Sequence, residues 1–334
     1  MNILKYAVSL SFLSVSLIFA APAQECTSAA LAQKPGAFRA SKLSGSTTGV
    51  SAADLAREKL LLTNIHKIIA AGYSPIGIIA DYSFHFDGGY DPKFQNKAAD
   101  TFGYSLYLLK YNCDKSSADK SKFYIGTDTP TVVRIDANII NNFGLSASNI
   151  ADNTFRGYLL MRNMPKKING FYFLGDEFSG NSQTKQKEYT WLITYDDTFP
   201  FSYLSRREYL LLSKERLEKT IKDDSNANGF YNQYLNRINE YLKKSEAELN
   251  QPAIVNRSDE ERFTGFVEEG SSNSHFAVKH NPAYYKKGLP KSAPQFFTVV
   301  YSVWEGDESA VYTDNISVIK KAVDFNALKN MLGK

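Results

Sequence analysis

The stretch "YTWLITYDDTFPFSYLSRREYLLLSKERLEKTI", Tyr189 to Ile221, changes its period in the middle. Tyr189, Trp191, Ile193 and Tyr195 recur at every second position, which is the pattern of a half-buried strand. Asp196 and Asp197 then bring turn chemistry, and Pro200 ends strand pairing. Ser205 and Glu208 form a Ser-x-x-Glu capping box, in which each side chain satisfies an unpaired backbone donor of a new helix. Leu204 before the cap and Tyr209 within the helix suit a hydrophobic staple. Ser205 therefore reads as a helix cap rather than a nucleophile.

Working outward, the strand period governs the residues before this point. The runs "FGYSLYLLKYN", "SKFYIGT", "TVVRIDANII", "FRGYLLMRNM" and "GFYFLGDEF" are short and rich in β-branched or aromatic residues, with turn-rich segments between them. Such spacing predicts antiparallel strands, partly solvated on one face. "PIGIIADYSFHF" predicts a further strand, with Ile76, Ile78, Ala80, Tyr82, Phe84 and Phe86 on one side. Before it, Ser51 to Gly72 predicts an amphipathic helix with Leu55, Leu62, Ile65 and Ile69 on its apolar stripe. Residues 51–204 thus read as a helix followed by an antiparallel sheet, and residues 205–250 as a helical pair. Residues 251–334 return to strand-like runs and close with helices from Asp314 and Asp324, completing the same domain. The fold class is α+β, an antiparallel β meander with a segregated helical pair and C-terminal helices.

Residues 1–23 carry the pattern of a signal peptide: Lys5, an apolar run from Tyr6 to Ala20, then "APA" before Gln24. The "AQE" before Cys26 lacks the small pair that abuts a lipidated cysteine. Residues 24–50 are small, polar and aperiodic, and read as a flexible arm. No later stretch approaches the roughly 18 apolar residues of a spanning helix, so a soluble chain in a periplasm or outside the cell is expected. In that oxidising setting Cys26 and Cys113 suggest one disulfide, with a free Cys113 thiol at a strand end as the other reading. The formal charge of +4 is mild and interleaved, which implies neither nucleic acid nor a membrane surface as partner.

Chemistry-bearing motifs are sparse. No Gly-x-Ser-x-Gly elbow occurs, and neither "GYS", at Gly72 or at Gly103, completes one. The four histidines lack zinc-site spacing. Asp81, His85, Asp87 and Asp91 are the nearest cluster, yet along a strand Asp81 and His85 stand roughly 13 Å apart. His275 and His280 fall on opposite faces of a regular strand, and His66 lies in a helix body. No metal site and no cofactor is expected. Adjacent carboxylates (Asp196 and Asp197, Asp223 and Asp224, Glu260 and Glu261, Glu268 and Glu269) point apart, whereas glycosidic chemistry needs two acids about 5 to 9 Å apart across a cleft. Arg206 and Arg207 oppose the dipole of the helix they begin. Either they pair with Asp196, Asp197 or Glu208, or they capture an anionic group.

"EYTWLITYDDTFPFSYLSRREYL", "NPAYYKKGLPKSAPQFFTVVY" and "VDFNALKNMLGK" resemble segments of uncharacterised exported bacterial proteins. The resemblance covers mainly the half after Tyr189 and brings no known activity, so no residue role is carried over. The leading expectation is a non-catalytic exported scaffold that binds a small ligand, a wall component or a protein partner. Arg206, Arg207, Trp191 and Tyr203 are its candidate binding residues. The competing expectations are a glycan or peptide hydrolase working through carboxylates and a structural surface component.

Overall fold

Cys26 is bonded to Cys113, with Cα atoms 5.7 Å apart and a sequence separation of 87. Just beyond Cys26 come the short helix α1 (Ser28–Ala32), capped by Thr27, then the strands β1 (Ala37–Ala40) and β2 (Ser44–Ser46). Both strands pair in parallel with β3 (Ile78–Asp87). The segment expected as a flexible arm is therefore docked. Its composition buries little apolar surface alone, but the disulfide and an open sheet edge hold it. The computed structural model describes residues 25–87, 99–129, 131–140, 145–148, 155–179, 186–223, 228–257, 262–304 and 310–334. The signal segment expected over residues 1–23 lies outside them, as do Asp91, Asp224, Glu260 and Glu261.

Helix α2 (Ala52–Gly72) starts as its sequence predicts, with Ser51 Oγ accepting from the Asp54 N–H at 3.1 Å. Its buried stripe is Leu61, Leu62, Ile65 and Ile69, with Glu58 on the same side. After β3 follow β4 (Phe102–Cys113), β5 (Phe123–Ile125), β6 (Val132–Ala137), β7 (Leu145–Ser148), β8 (Phe155–Met161) and β9 (Lys166–Ile168). β10 (Phe171–Ser179), β11 (Gln186–Ile193) and β12 (Phe201–Tyr203) lead into α3 (Arg206–Asp223), α4 (Asn228–Tyr241) and α5 (Glu246–Leu249). The chain closes with β13 (Ile254–Asn256), β14 (Ser274–His280), β15 (Phe297–Trp304), α6 (Ala310–Ala322) and α7 (Phe325–Asn330).

The predicted switch at Ser205 is present in detail. Glu208 Oε2 accepts from the Ser205 N–H at 2.9 Å, and Ser205 Oγ accepts from the Glu208 N–H at 3.2 Å. Leu204 and Tyr209 are both buried in the cluster beneath α3.

Two sheets result. The larger has the order β1-β3-β4-β6-β15-β11-β10-β9, with β2 on β3 and β5 on β4. The smaller has the order β12-β14-β8-β7, with β13 on β14. β15 thus fills the position between β6 and β11, antiparallel to both, and ties the end of the chain into the main sheet.

Strand alternation gives each sheet two faces, and the buried clusters show what covers them. On one face of the larger sheet, Tyr104, Leu106, Val133 and Val299 meet Leu62, Ile65 and Ile69 of α2, Ile316 and Ile319 of α6, and Leu328 of α7. On its other face, Tyr172, Leu174 and Leu192 pack on Leu159, Met161, Phe276 and Val278 of the smaller sheet. The far side of the smaller sheet, through Tyr158, Leu160 and Ala277, packs on Leu210 and Leu217 of α3 and Ile238 of α4. The layers run helices, sheet, sheet, helices, an α+β arrangement.

Candidate functional site

The helices do not cover all of the larger sheet. α2 and α6 lie over β4 and β15 and α7 over β11, while β10 and β9 run on beyond them. Because side chains alternate, the same face carries Phe171 and Phe173 of β10, Tyr189 and Trp191 of β11, and Tyr301 of β15. Register places Phe173 opposite Trp191 and Tyr189 opposite Tyr301. These rings, with Ile168, Val323 and Phe325, line a cleft of about 600 Å³ between the sheet and the junction of α6 with α7. That volume is within the range of small-molecule sites, about 300–1,000 Å³.

Phe325, the first residue of α7, is the wedge that shapes it. Its ring meets Phe171 edge-on at 5.2 Å and Trp191 at 5.5 Å. Phe173 leans on Trp191 at 5.0 Å. At the rim, Lys320 holds its ammonium 4.3 Å from the Tyr189 ring and 5.4 Å from the Tyr301 ring, and Lys321 stands beside it. Tyr301 is 2 % exposed and its hydroxyl is buried without a hydrogen-bond partner. Asp324, the only carboxylate among the described lining residues, is engaged in capping α7: its Oδ1 accepts from the N–H groups of Asn326 at 2.9 Å and Ala327 at 3.0 Å.

Of the four residues singled out from sequence, only Trp191 belongs to this cleft. Arg206 and Arg207 begin α3, on the far side of the smaller sheet. Their partners are not the acids near them in sequence but two on α5. Arg206 Nη1 lies 3.7 Å from Glu248 Oε1, with its guanidinium 4.9 Å from the Phe266 ring, and Arg207 pairs with Glu246. The nearer acids are already used. Glu208 serves the cap and Lys279, Asp197 accepts from Lys167 and Tyr172, and Asp196 accepts from Thr198. Tyr203 packs edge-on against Phe201 and Phe276 between the sheets, and burial pushes its hydroxyl up to about 12.

The other candidates are drawn into structure. His66 stacks on Tyr82 at 3.8 Å and meets the Tyr104 hydroxyl at 3.2 Å. Asp81 binds Arg39 and Ser41, which docks β1. His85 Nε2 lies 3.2 Å from Asp136 Oδ1. His275 Nδ1 is 2.9 Å from the Asn273 carbonyl oxygen, while His280 lies against Tyr285, where burial pulls its imidazole down to about 4. Among the described residues no group of three or more His, Cys, Asp or Glu side chains could hold a metal ion, and no helix is long and apolar enough to cross a membrane.

One acid is unusual. Glu58 of α2 is 1 % exposed and both its carboxyl oxygens lack a hydrogen-bond partner. Burial, then the nearby carboxylates of Asp100 and Asp54, push it up to about 8. Asp100 is also raised, chiefly by burial, whereas Asp54 is lowered by its bonds from Ser51 and Ser292. The sequence carried a signal for Glu58: it occupies the stripe position three after Leu55 and four before Leu62.

The residues that reasoning from sequence missed are Phe171, Phe173, Tyr301, Lys320 and Phe325. Strand alternation in "GFYFLGDEF" and "FTVVYSVW" puts the first three on one face, but only the sheet order brings those strands together around β11. Comparison with known proteins finds no matching family model, no matching curated relative and no matching solved structure, so the site rests on its own geometry.

Proposed function

We propose that the chain is an exported scaffold that binds a small ligand in the aromatic cleft, without catalysing a reaction on it. The observation that carries this reading is the cleft itself: five aromatic side chains gathered on one sheet face, left open by the helices and rimmed by two lysines. Apolar walls with a few polar groups are the usual make-up of a small-molecule site. Among the described lining residues the one carboxylate, Asp324, is engaged in capping α7, which agrees with a binding role. Export is supported by the signal-like start and by the Cys26–Cys113 bond, a feature of oxidising compartments. The resemblance of the later half to exported bacterial proteins agrees with that location.

A thermal-shift screen of small molecules on the full chain and on Trp191→Ala tests the reading. Ligands of this site raise the midpoint of the parent chain, since binding to the folded state alone stabilises it. The same compounds leave Trp191→Ala unmoved. If every stabilising compound acted equally on Trp191→Ala and on Phe325→Ala, the cleft would not be the binding site.

The hydrolase reading has one observation in its favour, the desolvated Glu58 beside Asp100. Glu58 is 1 % exposed, however, and lies under α2, away from the cleft. Glycan or peptide cleavage abolished by both Glu58→Gln and Asp100→Asn, with folding intact, would establish that reading instead.

A further inference from the structure

Taking the cleft as the binding site, we infer that its ligand is a short extended peptide, which adds as a strand to the free edge of β9 and lays an aromatic side chain in the cleft. β9 ends the larger sheet: β10 pairs with it on one side, and among the described residues no strand pairs with it on the other. In an antiparallel sheet alternate residues of an edge strand turn both backbone groups outward, and the complement of such a row of donors and acceptors is another strand.

This edge and the cleft are continuous. Ile168 stands opposite Phe171 and Lys166 opposite Phe173, so both belong to the cleft face, and Ile168 forms part of the cleft wall. Ile168 is 40 % exposed, and Met164 just before the strand is 41 % exposed. Exposed apolar side chains beside an unpaired edge make a strand-pairing site, which proteins otherwise block with charges. Lys167 does not block it: opposite Tyr172, it belongs to the other face, where it donates to Asp197 and covers the Tyr172 ring. An added strand runs about 4.8 Å from β9, and a ring opposite Ile168 leans across it towards Phe171 and Phe325, which meet edge-on.

The register also sets a charge. Lys166 is exposed and makes no ion pair with a described residue. The added strand runs antiparallel, as β10 does to β9, because that pairing is the slightly more stable one. It then sets its aromatic residue opposite Ile168 and, two positions later on the same face, an acid opposite Lys166. The ligand thus carries the order aromatic, any residue, acid. β9 of a second copy is a poor occupant, since antiparallel pairing centred on Lys167 sets that lysine against its own copy.

The experiment titrates the full chain calorimetrically with the hexapeptide acetyl-Thr-Val-Phe-Thr-Glu-Thr-amide and with N-acetylphenylalaninamide, which offers the ring without the strand. The expected result is that the peptide binds at least about ten-fold tighter than the amino-acid amide, and that Phe325→Ala weakens both. Two N-methylated peptides read the edge itself, one methylated at Phe and Glu, the other at Val and the Thr after Phe. Because alternate amides of an added strand face β9, one form should lose at least about ten-fold and the other stay within about three-fold of the parent peptide. Lys166→Glu should weaken the peptide, and replacing the peptide's Glu by Lys should restore it. Equal loss from the two methylations, or equal affinity of peptide and amino-acid amide, would overturn the strand, while sensitivity to Phe325→Ala would keep the cleft as a binding site. Indifference to the charge exchange at Lys166 would overturn the register. Binding of neither probe would overturn the peptide assignment, and the cleft reading falls with it only if the small-molecule screen also finds no ligand that Trp191→Ala loses.

Discussion

His85 of β3 reaches Asp136 of β6 across an intervening strand, and the residue between them on β4 is Gly103. The register aligns all three in one row, and only a residue without a side chain lets the imidazole and the carboxylate meet over it. A Cβ at position 103 would stand 2.2 Å from Asp136 Oδ1 and 2.3 Å from His85 Cε1. His85 can swing outward, but Asp136 is 2 % exposed and has no room to move. Gly103→Ala should therefore cost roughly 1–3 kcal/mol, the usual range for overpacking, and leave a buried carboxylate with a displaced neighbour. In urea denaturation, the added cost of Gly103→Ala should shrink when His85→Ala is already present. A Gly103→Ala chain within about 0.5 kcal/mol of the parent would show that the row is looser than this geometry requires.

The disulfide gives the second prediction. Cys26–Cys113 links α1 and the edge strand β1 to the end of β4, and the two sulfurs sit in a small cluster with Leu31, Ile79, Leu109 and Tyr111. β1 is only four residues long and mostly exposed, so its own pairing with β3 is weak. Replacing both cysteines by serine should lower stability by about 2–4 kcal/mol. Amide exchange should rise first in β1 and β2 rather than in β4, because the lost restraint acts on the edge. Unchanged exchange in β1 with reductant present would mean that strand pairing alone holds the N-terminal segment.

How much of this was readable beforehand depends on distance along the chain. The capping box at Ser205 and Glu208 and the start of α2 at Ser51 and Asp54 are local, closed within three residues, and the sequence contained each in full. The aromatic alternation of Tyr189 and Trp191 likewise showed which side chains share a face. What it could not show was the neighbour across the strand. β15 lies between β6 and β11 although more than a hundred residues separate it from β11, and periodicity has no information on that pairing. The same limit hides the partners of Arg206 and Arg207: the sequence offers Asp196, Asp197 and Glu208 close by, whereas Glu248 and Glu246 arrive through the return of α4 into α5.

Arg207 and Glu246 are a surface pair, with side chains 38 % and 77 % exposed, so Arg207→Ala should change stability by no more than about 0.5 kcal/mol. Arg206 is 20 % exposed, stacks on Phe266 and pairs with Glu248, so Arg206→Ala should cost more, about 1–2 kcal/mol, and Arg206→Lys should recover only part because lysine lacks the planar face. Neither change should alter the affinity of a ligand bound beside Trp191. A loss of affinity in the double variant Arg206→Ala with Arg207→Ala, with Trp191→Ala unaffected, would move the binding site to the start of α3.

Glu58 predicts an unusual dependence of stability on pH. Its carboxyl ionises near 4.5 in an unfolded chain and is pushed up to about 8 when folded, by burial first and then by Asp100 and Asp54. Below pH 4.5 it is neutral in both states and contributes no difference. As pH rises from 4.5 to about 8 the unfolded chain releases a proton that the folded chain retains, so stability falls through that window and stays reduced above it. The full effect is at most on the order of 5 kcal/mol. Glu58→Gln keeps the shape and removes the titration, so it should match the parent near pH 4.5 and exceed it progressively towards pH 8. Asp100→Asn should narrow the window by removing the second contributor to the shift, while Lys291, which lowers Asp100, stays in place. Chemical denaturation at a series of pH values decides the matter: parallel curves for the parent chain and Glu58→Gln would mean that the carboxyl is solvated enough to ionise normally under α2.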